Sequence, residues 1–144
     1  IGNAFRLMAE RRYAFMELPY NKALADKINN MAGKMSKEFK HLVIVGIGGS
    51  ALGSRMLHSA LSPYQNICRV SVIDNVDPDT MYRLIKDLDF RHTLFNIVTK
   101  SGNTVETVSN FLILRKRLID AVGPQEYKRH IIVTTDPEKG SLRG

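Results

Sequence analysis

Two short stretches carry the residue types that can do chemistry. Gly46-Ile47-Gly48-Gly49-Ser50-Ala51-Leu52-Gly53 follows directly on the apolar run Leu42 to Val45. Glycines there let the backbone turn sharply and bring amide N–H groups close to a ligand, while a helix N-terminus adds about half a positive charge. Such a loop suits an anion, a phosphate above all. The second stretch is Thr99-Lys100-Ser101-Gly102-Asn103-Thr104-Val105-Glu106. The hydroxyls of Thr99, Ser101 and Thr104, the Lys100 ammonium and Gly102 all precede the first carboxylate, Glu106. That donor set fits a phosphate dianion.

Other readings of the same residues stay open at this level. Gly46-x-Gly48-x-x-Ala51 also satisfies a dinucleotide fingerprint, with Asp74 placed where a ribose-binding acid would sit, so a nicotinamide-dependent Rossmann domain is an alternative. A dinucleotide fold has no need of the loop from Thr99 to Thr104. Structural readings also exist: Ser50 as a helix cap, Gly46 and Gly48 as aids to tight packing, Lys100 as a solvated cation, and Asn103 with Glu106 as a capping box. His41, His58, His92 and His130 are scattered, and none has a Cys or a second His at ligand spacing. No metal site and no Ser-His-Asp order follow from them.

The elements that must position these loops are legible from periodicity. Leu24, Ile28, Met31, Met35 and Phe39 recur at helical spacing from Asn21 to about Lys37. Pro19 separates this helix from an earlier helical stretch around Phe5 to Phe15. Four short runs rich in Val, Ile and Leu then read as strands buried on both faces: Leu42 to Val45, Val70 to Ile73, Leu94 to Val98 and Ile131 to Thr135. Between them lie helices: one through Met56, Leu57 and Leu61; one capped by Asp77 with Pro78 at its first position; and one from Asn103 to Val122, closed by Gly123-Pro124. Strands alternating with helices predict an α/β fold, a doubly wound parallel sheet of order 2-1-3-4 with helices on both faces. In that order the loops after strands one and three flank the switch point, so both are expected to face one pocket.

Composition agrees with one compact domain. The 144 residues are 44% hydrophobic and 24% charged, with no biased tract and no repeat. No apolar run approaches the roughly 20 residues of a membrane-spanning helix. The single Cys68 cannot pair within the chain, which fits a reducing cytoplasm. A net charge of +7, spread along the chain, would suit an anionic ligand but does not by itself select one. The start at Ile1 without Met and the stop at Gly144 directly after a motif are read as cuts.

With both loops and the stretch Thr134-Thr135-Asp136-Pro137-Glu138-Lys139-Gly140 in order, the sequence resembles the glucose-6-phosphate isomerase family. The resemblance covers roughly two-thirds of the chain from Val43 onward. It implies a sugar isomerase (SIS) domain of three αβα layers over residues 41–144, after a helical lead-in over 1–40. It further implies that Gly49, Ser50, Thr99, Lys100, Ser101 and Thr104 hold the substrate phosphate and that Glu106 lies near the sugar hydroxyls. Many members carry Thr at the position of Asn103, and the residue at Ala51 varies. The implied reaction interconverts glucose 6-phosphate and fructose 6-phosphate through an enediol, without cofactor or metal. It also implies a homodimer, with no nucleic-acid or membrane partner. In that family the base, the ring-opening acid and other catalytic groups follow the position of Gly144, so no catalytic residue is named here and negligible turnover is expected of this chain alone. A stand-alone phosphosugar-binding regulator is a further alternative, beside the nicotinamide-dependent Rossmann domain.

Overall fold

A computed structural model of the chain describes residues 17–61 and 68–136. The helix expected around Phe5 to Phe15 and the end of the third motif, Pro137 to Gly140, lie outside the described residues. Two compact units divide the chain, residues 1–37 and 38–144.

In the first unit a 3-10 turn, Leu18–Tyr20, leads to helix α1, Lys22–Glu38, whose last residue belongs to the second unit. Asn21 starts the helix because its side-chain oxygen accepts the Leu24 N–H at 3.0 Å. The stripe that defines α1 in sequence is exposed: Leu24 is 39%, Ile28 49% and Met31 39% accessible. Phe39, one residue beyond the helix, is by contrast buried, with its ring edge-on to His130 at 5.0 Å between centroids.

The second unit alternates as expected: β1 (His41–Val45), α2 (Gly49–Leu61), β2 (Arg69–Ile73), α3 (Pro78–Asp87), β3 (Thr93–Val98), α4 (Val105–Val122) and β4 (Ile131–Thr134). The sheet has the order β2-β1-β3-β4, and every pair is parallel. Val45 of β1 stands opposite Ile73 of β2 and Ile97 of β3. Right-handed crossovers decide the layering. The step from β1 to β2 runs one way across the sheet and the steps to β3 and β4 run the other, so α2 covers one face while α3 and α4 cover the opposite one.

On the α3/α4 face Met81, Leu114 and Leu118 pack with Val43, Val45, Ile73, Phe95 and Ile97 in one buried cluster. Each fully buried leucine there contributes about 1.5–3 kcal/mol. The expectation that all four strands are buried on both faces holds for β1 and β3 only. Val70 to Val72 of β2 are only half-buried, and Val133 and Thr134 of β4 are exposed, because these two strands are the edges of the sheet.

Helix ends follow local chemistry. Asp77 accepts the Asp79 N–H at 3.0 Å and the Thr80 hydroxyl at 2.8 Å, and these bonds hold its carboxyl below the usual carboxylate range. Gly123, at φ +89, ends α4 with its N–H on the Ile119 carbonyl at 2.8 Å. Among the described residues no helix is long and apolar enough to cross a membrane.

Candidate functional site

Because β1 and β3 are adjacent and parallel, the chain leaves both at the same edge of the sheet. Gly46 follows Val45 and donates its N–H to the Ile73 carbonyl at 3.0 Å. A Cβ at Gly46 would lie 2.9 Å from Ser50 Cβ and 3.0 Å from the Val98 carbonyl oxygen. Only glycine lets the start of the first loop touch both its own helix and the end of β3.

The rest of that loop is shaped by backbone bonds. Gly48 takes φ +56, a region that other residues enter at a cost. Its carbonyl accepts the N–H groups of Ala51 and Leu52, each at 3.0 Å, while the Ser50 N–H reaches the Ile47 carbonyl at 3.2 Å. Helix α2 begins at Gly49, so Ser50 lies inside its first turn and is not the capping residue. A Cβ on Gly48 or Gly49 would meet nothing within 4 Å. The outer side of the loop is open to a ligand.

The second loop leaves β3 through Thr99, whose N–H bonds the Thr134 carbonyl of β4 at 3.0 Å. Thr99 is 1% exposed, and its hydroxyl meets the Thr104 hydroxyl at 3.1 Å. Between them Ser101 accepts the Asn103 N–H at 3.2 Å, and Gly102 makes the turn at φ +71. The Lys100 side chain is exposed, while its carbonyl accepts the Asp136 N–H at 3.3 Å. The third motif therefore braces the backbone of the second loop, a link that no sequence spacing announces.

Helix α4 starts at Val105 with Thr104 as its cap residue, yet the Thr104 side chain makes no capping bond. Its hydroxyl is turned to Thr99 instead. The first intrahelical bond runs from the Val108 N–H to the Thr104 carbonyl at 2.9 Å, which leaves the amides of Val105, Glu106 and Thr107 without an intrahelical partner. Glu106 occupies the second helical position and is exposed, so the capping box read between Asn103 and Glu106 is not formed.

Asp74, the acid of the dinucleotide reading, is paired with the Arg55 guanidinium of α2. The sequence offered no sign of this pairing, because the two residues are brought together only by the crossover from α2 to β2. Three of the histidines bond to residues outside the two loops. His41 Nε2 bonds the Ser71 hydroxyl at 2.9 Å, and burial, with Arg69 beside it, pushes its pKa down. His130 Nδ1 bonds the Thr93 carbonyl at 2.9 Å, and His92 Nδ1 lies 2.7 Å from Asp89.

The two loops thus present open glycine backbone, a helix N-terminus with unused amides, a flexible ammonium and a set of hydroxyls on one edge. Glu106 is the single carboxylate within them. This is chemistry for holding a dianion.

The chain matches the family profile described as phosphoglucose isomerase over residues 18–144. The glucose-6-phosphate isomerase of Carboxydothermus hydrogenoformans is 41% identical over 140 residues, which covers 90% of this chain and 30% of that relative. The enzyme of the same name from Rubrobacter xylanophilus is 39% identical over 137 residues, covering 90% of this chain and 32% of the relative. Among solved structures, a hypothetical protein from Thermus thermophilus superposes with a TM-score of 0.87 at 35% identity, over 96% of this chain and 34% of the other. A glucose-6-phosphate isomerase from Chlamydia trachomatis superposes at 0.78 with 25% identity, over 88% and 24%. The chain spans about a third or less of each of these proteins.

Proposed function

This chain belongs to the phosphoglucose isomerase family, and from that premise we propose that it forms the phosphosugar-binding part of an enzyme that interconverts glucose 6-phosphate and fructose 6-phosphate. The observation that carries the proposal is the shared edge: Gly46 packs against Val98, so the loops after β1 and β3 start side by side. A phosphate between them meets the Gly49 and Ser50 backbone, the Ser50, Ser101 and Thr104 hydroxyls and the Lys100 ammonium. Thr99, buried, acts from behind by holding Thr104. Glu106, exposed one residue into α4, reaches toward the sugar hydroxyls.

Isomerisation needs a carboxylate that removes the C2 proton and returns it at C1, and an acid that opens the ring. The two loops supply a single carboxylate, Glu106, and not that pair. We assign those steps to the part of the longer relatives that these 144 residues do not match, and the working assembly to a cytoplasmic homodimer. The proposed division of labour is binding here and proton transfer elsewhere.

Calorimetric titration of this chain with glucose 6-phosphate and, separately, with NAD tests the reading, in the native form and in Lys100→Ala. Sugar-phosphate binding that weakens about tenfold or more in the variant, as expected for a lost charge-assisted hydrogen bond, supports it. Binding of NAD that ignores the substitution would move the assignment to a dinucleotide domain, and turnover by the chain alone would refute the division of labour.

A further inference from the structure

The first turns of α4 cross the carboxyl edge of the sheet, and three residues on one face of the helix mark the crossing. Thr104 meets Thr99 at the end of β3, at 3.1 Å. Asn110, buried two turns later, donates its side-chain amide to the Asn75 carbonyl beyond the end of β2, at 3.0 Å. Strand β1 lies between β3 and β2. Thr107, three residues from each, lies between those two contacts on a helix that packs against both β1 and β3.

Thr107 is 0% exposed, and its hydroxyl oxygen has no hydrogen-bond partner among the described residues. A threonine inside a helix ordinarily returns its hydroxyl to a carbonyl one turn back. A hydroxyl that does neither this nor reach solvent carries the full penalty of desolvation, and valine would fill the same volume without it. The group sits at the third position of α4, beside the amides of Val105 and Glu106 that have no intrahelical partner.

We infer that Thr107 is a positioning residue of the two loops: its hydroxyl takes a backbone partner in the Gly46 to Ser50 loop when a phosphate draws that loop onto the N-terminus of α4. The inference rests on the phosphosugar-binding reading and extends it to a residue that touches no ligand. A hydroxyl can donate or accept, so either a carbonyl or an amide of the loop satisfies it. Binding then gains one hydrogen bond that the free protein lacks.

Thr107→Val keeps the shape and removes the hydroxyl; Thr107→Ser keeps the hydroxyl. Thermal melting of the free chain and calorimetric titration with glucose 6-phosphate and with inorganic phosphate are measured for both. The valine variant is expected to melt at or above the native temperature yet bind both probes about tenfold more weakly, one neutral hydrogen bond's worth. The serine variant, short of a methyl group, melts somewhat lower but binds within about threefold of native. Native affinity in the valine variant overturns the inference, as does a large fall in its melting temperature alone, which would reveal a partner already present in the free state. If the native chain binds neither probe, the phosphosugar reading has failed first and this inference falls with it.

Discussion

Thr99 Oγ1 and Thr104 Oγ1 stand 3.1 Å apart and close the second loop on itself, from the last residue of the β3 exit to the cap position of α4. Thr99 is buried and Thr104 is partly exposed, so the bond fixes an accessible hydroxyl from the protected side. It also explains why Thr104 leaves the amides of its own helix uncapped.

Each hydroxyl is expected to depend on the other. Thr99→Val and Thr104→Val should each lower stability by about 1 kcal/mol, and the double variant should cost less than the sum, with a coupling of about 0.5–1.5 kcal/mol. Urea unfolding of the four proteins measures it. Strict additivity would show that the bond carries nothing.

Gly46 and Gly49 are expected to separate packing from binding. Gly46→Ala places a Cβ 2.9 Å from Ser50 and 3.0 Å from the Val98 oxygen, where backbone must move, and should cost about 1–3 kcal/mol in unfolding experiments. Gly49→Ala meets nothing within 4 Å and should leave stability within about 0.5 kcal/mol. If the open side of the loop receives a phosphate, Gly49→Ala nevertheless weakens glucose 6-phosphate binding in calorimetry.

His41 is expected to make the fold sensitive to mild acid. Burial, and then Arg69, push its folded pKa below the reference 6.5, so the unfolded chain binds the proton more readily. The stability it contributes is complete above pH 6.5 and is lost as the pH falls from there through the lowered folded pKa. Comparison of urea midpoints at pH 7.5 and 5.5 for the native chain and His41→Asn tests this; an unchanged difference would clear His41 of the effect. Asp77 and Asp89, both held below the reference 3.8, begin to lose their contribution only as the pH falls toward that value.

Neighbouring leucines of α4 are expected to behave oppositely. Leu114, 1% exposed in the central cluster, should cost about 2–5 kcal/mol as Leu114→Ala. Leu112, 54% exposed, should cost less than about 0.5 kcal/mol as Leu112→Ala. Denaturation of both variants checks the placement of the core, and similar losses would contradict it.

Much of this site is local, and local features are legible in a sequence. The alternation of strands and helices, the cap at Asp77, the stop at Gly123 and the glycine and hydroxyl loops all follow from short patterns whose physics involves a few residues. The stripe of α1 is equally legible, yet periodicity describes only which residues share a face and not what covers that face, and Leu24, Ile28 and Met31 are exposed. The even burial read for all four strands failed at β2 and β4, because composition alone does not tell an edge from a centre.

By itself, then, the sequence determined an α/β alternation with two anion-suited loops after its first and third strands, since turn chemistry and side-chain period are set by neighbours along the chain. Only the tertiary structure decided that Gly46 presses on Val98, that Asp136 braces Lys100, that Arg55 occupies Asp74 and that Thr107 is buried without a partner. The first three join residues that different strands and helices bring together. They arise from the parallel register of the sheet and the handedness of its crossovers, which act on distances in space and leave no periodic mark in the chain.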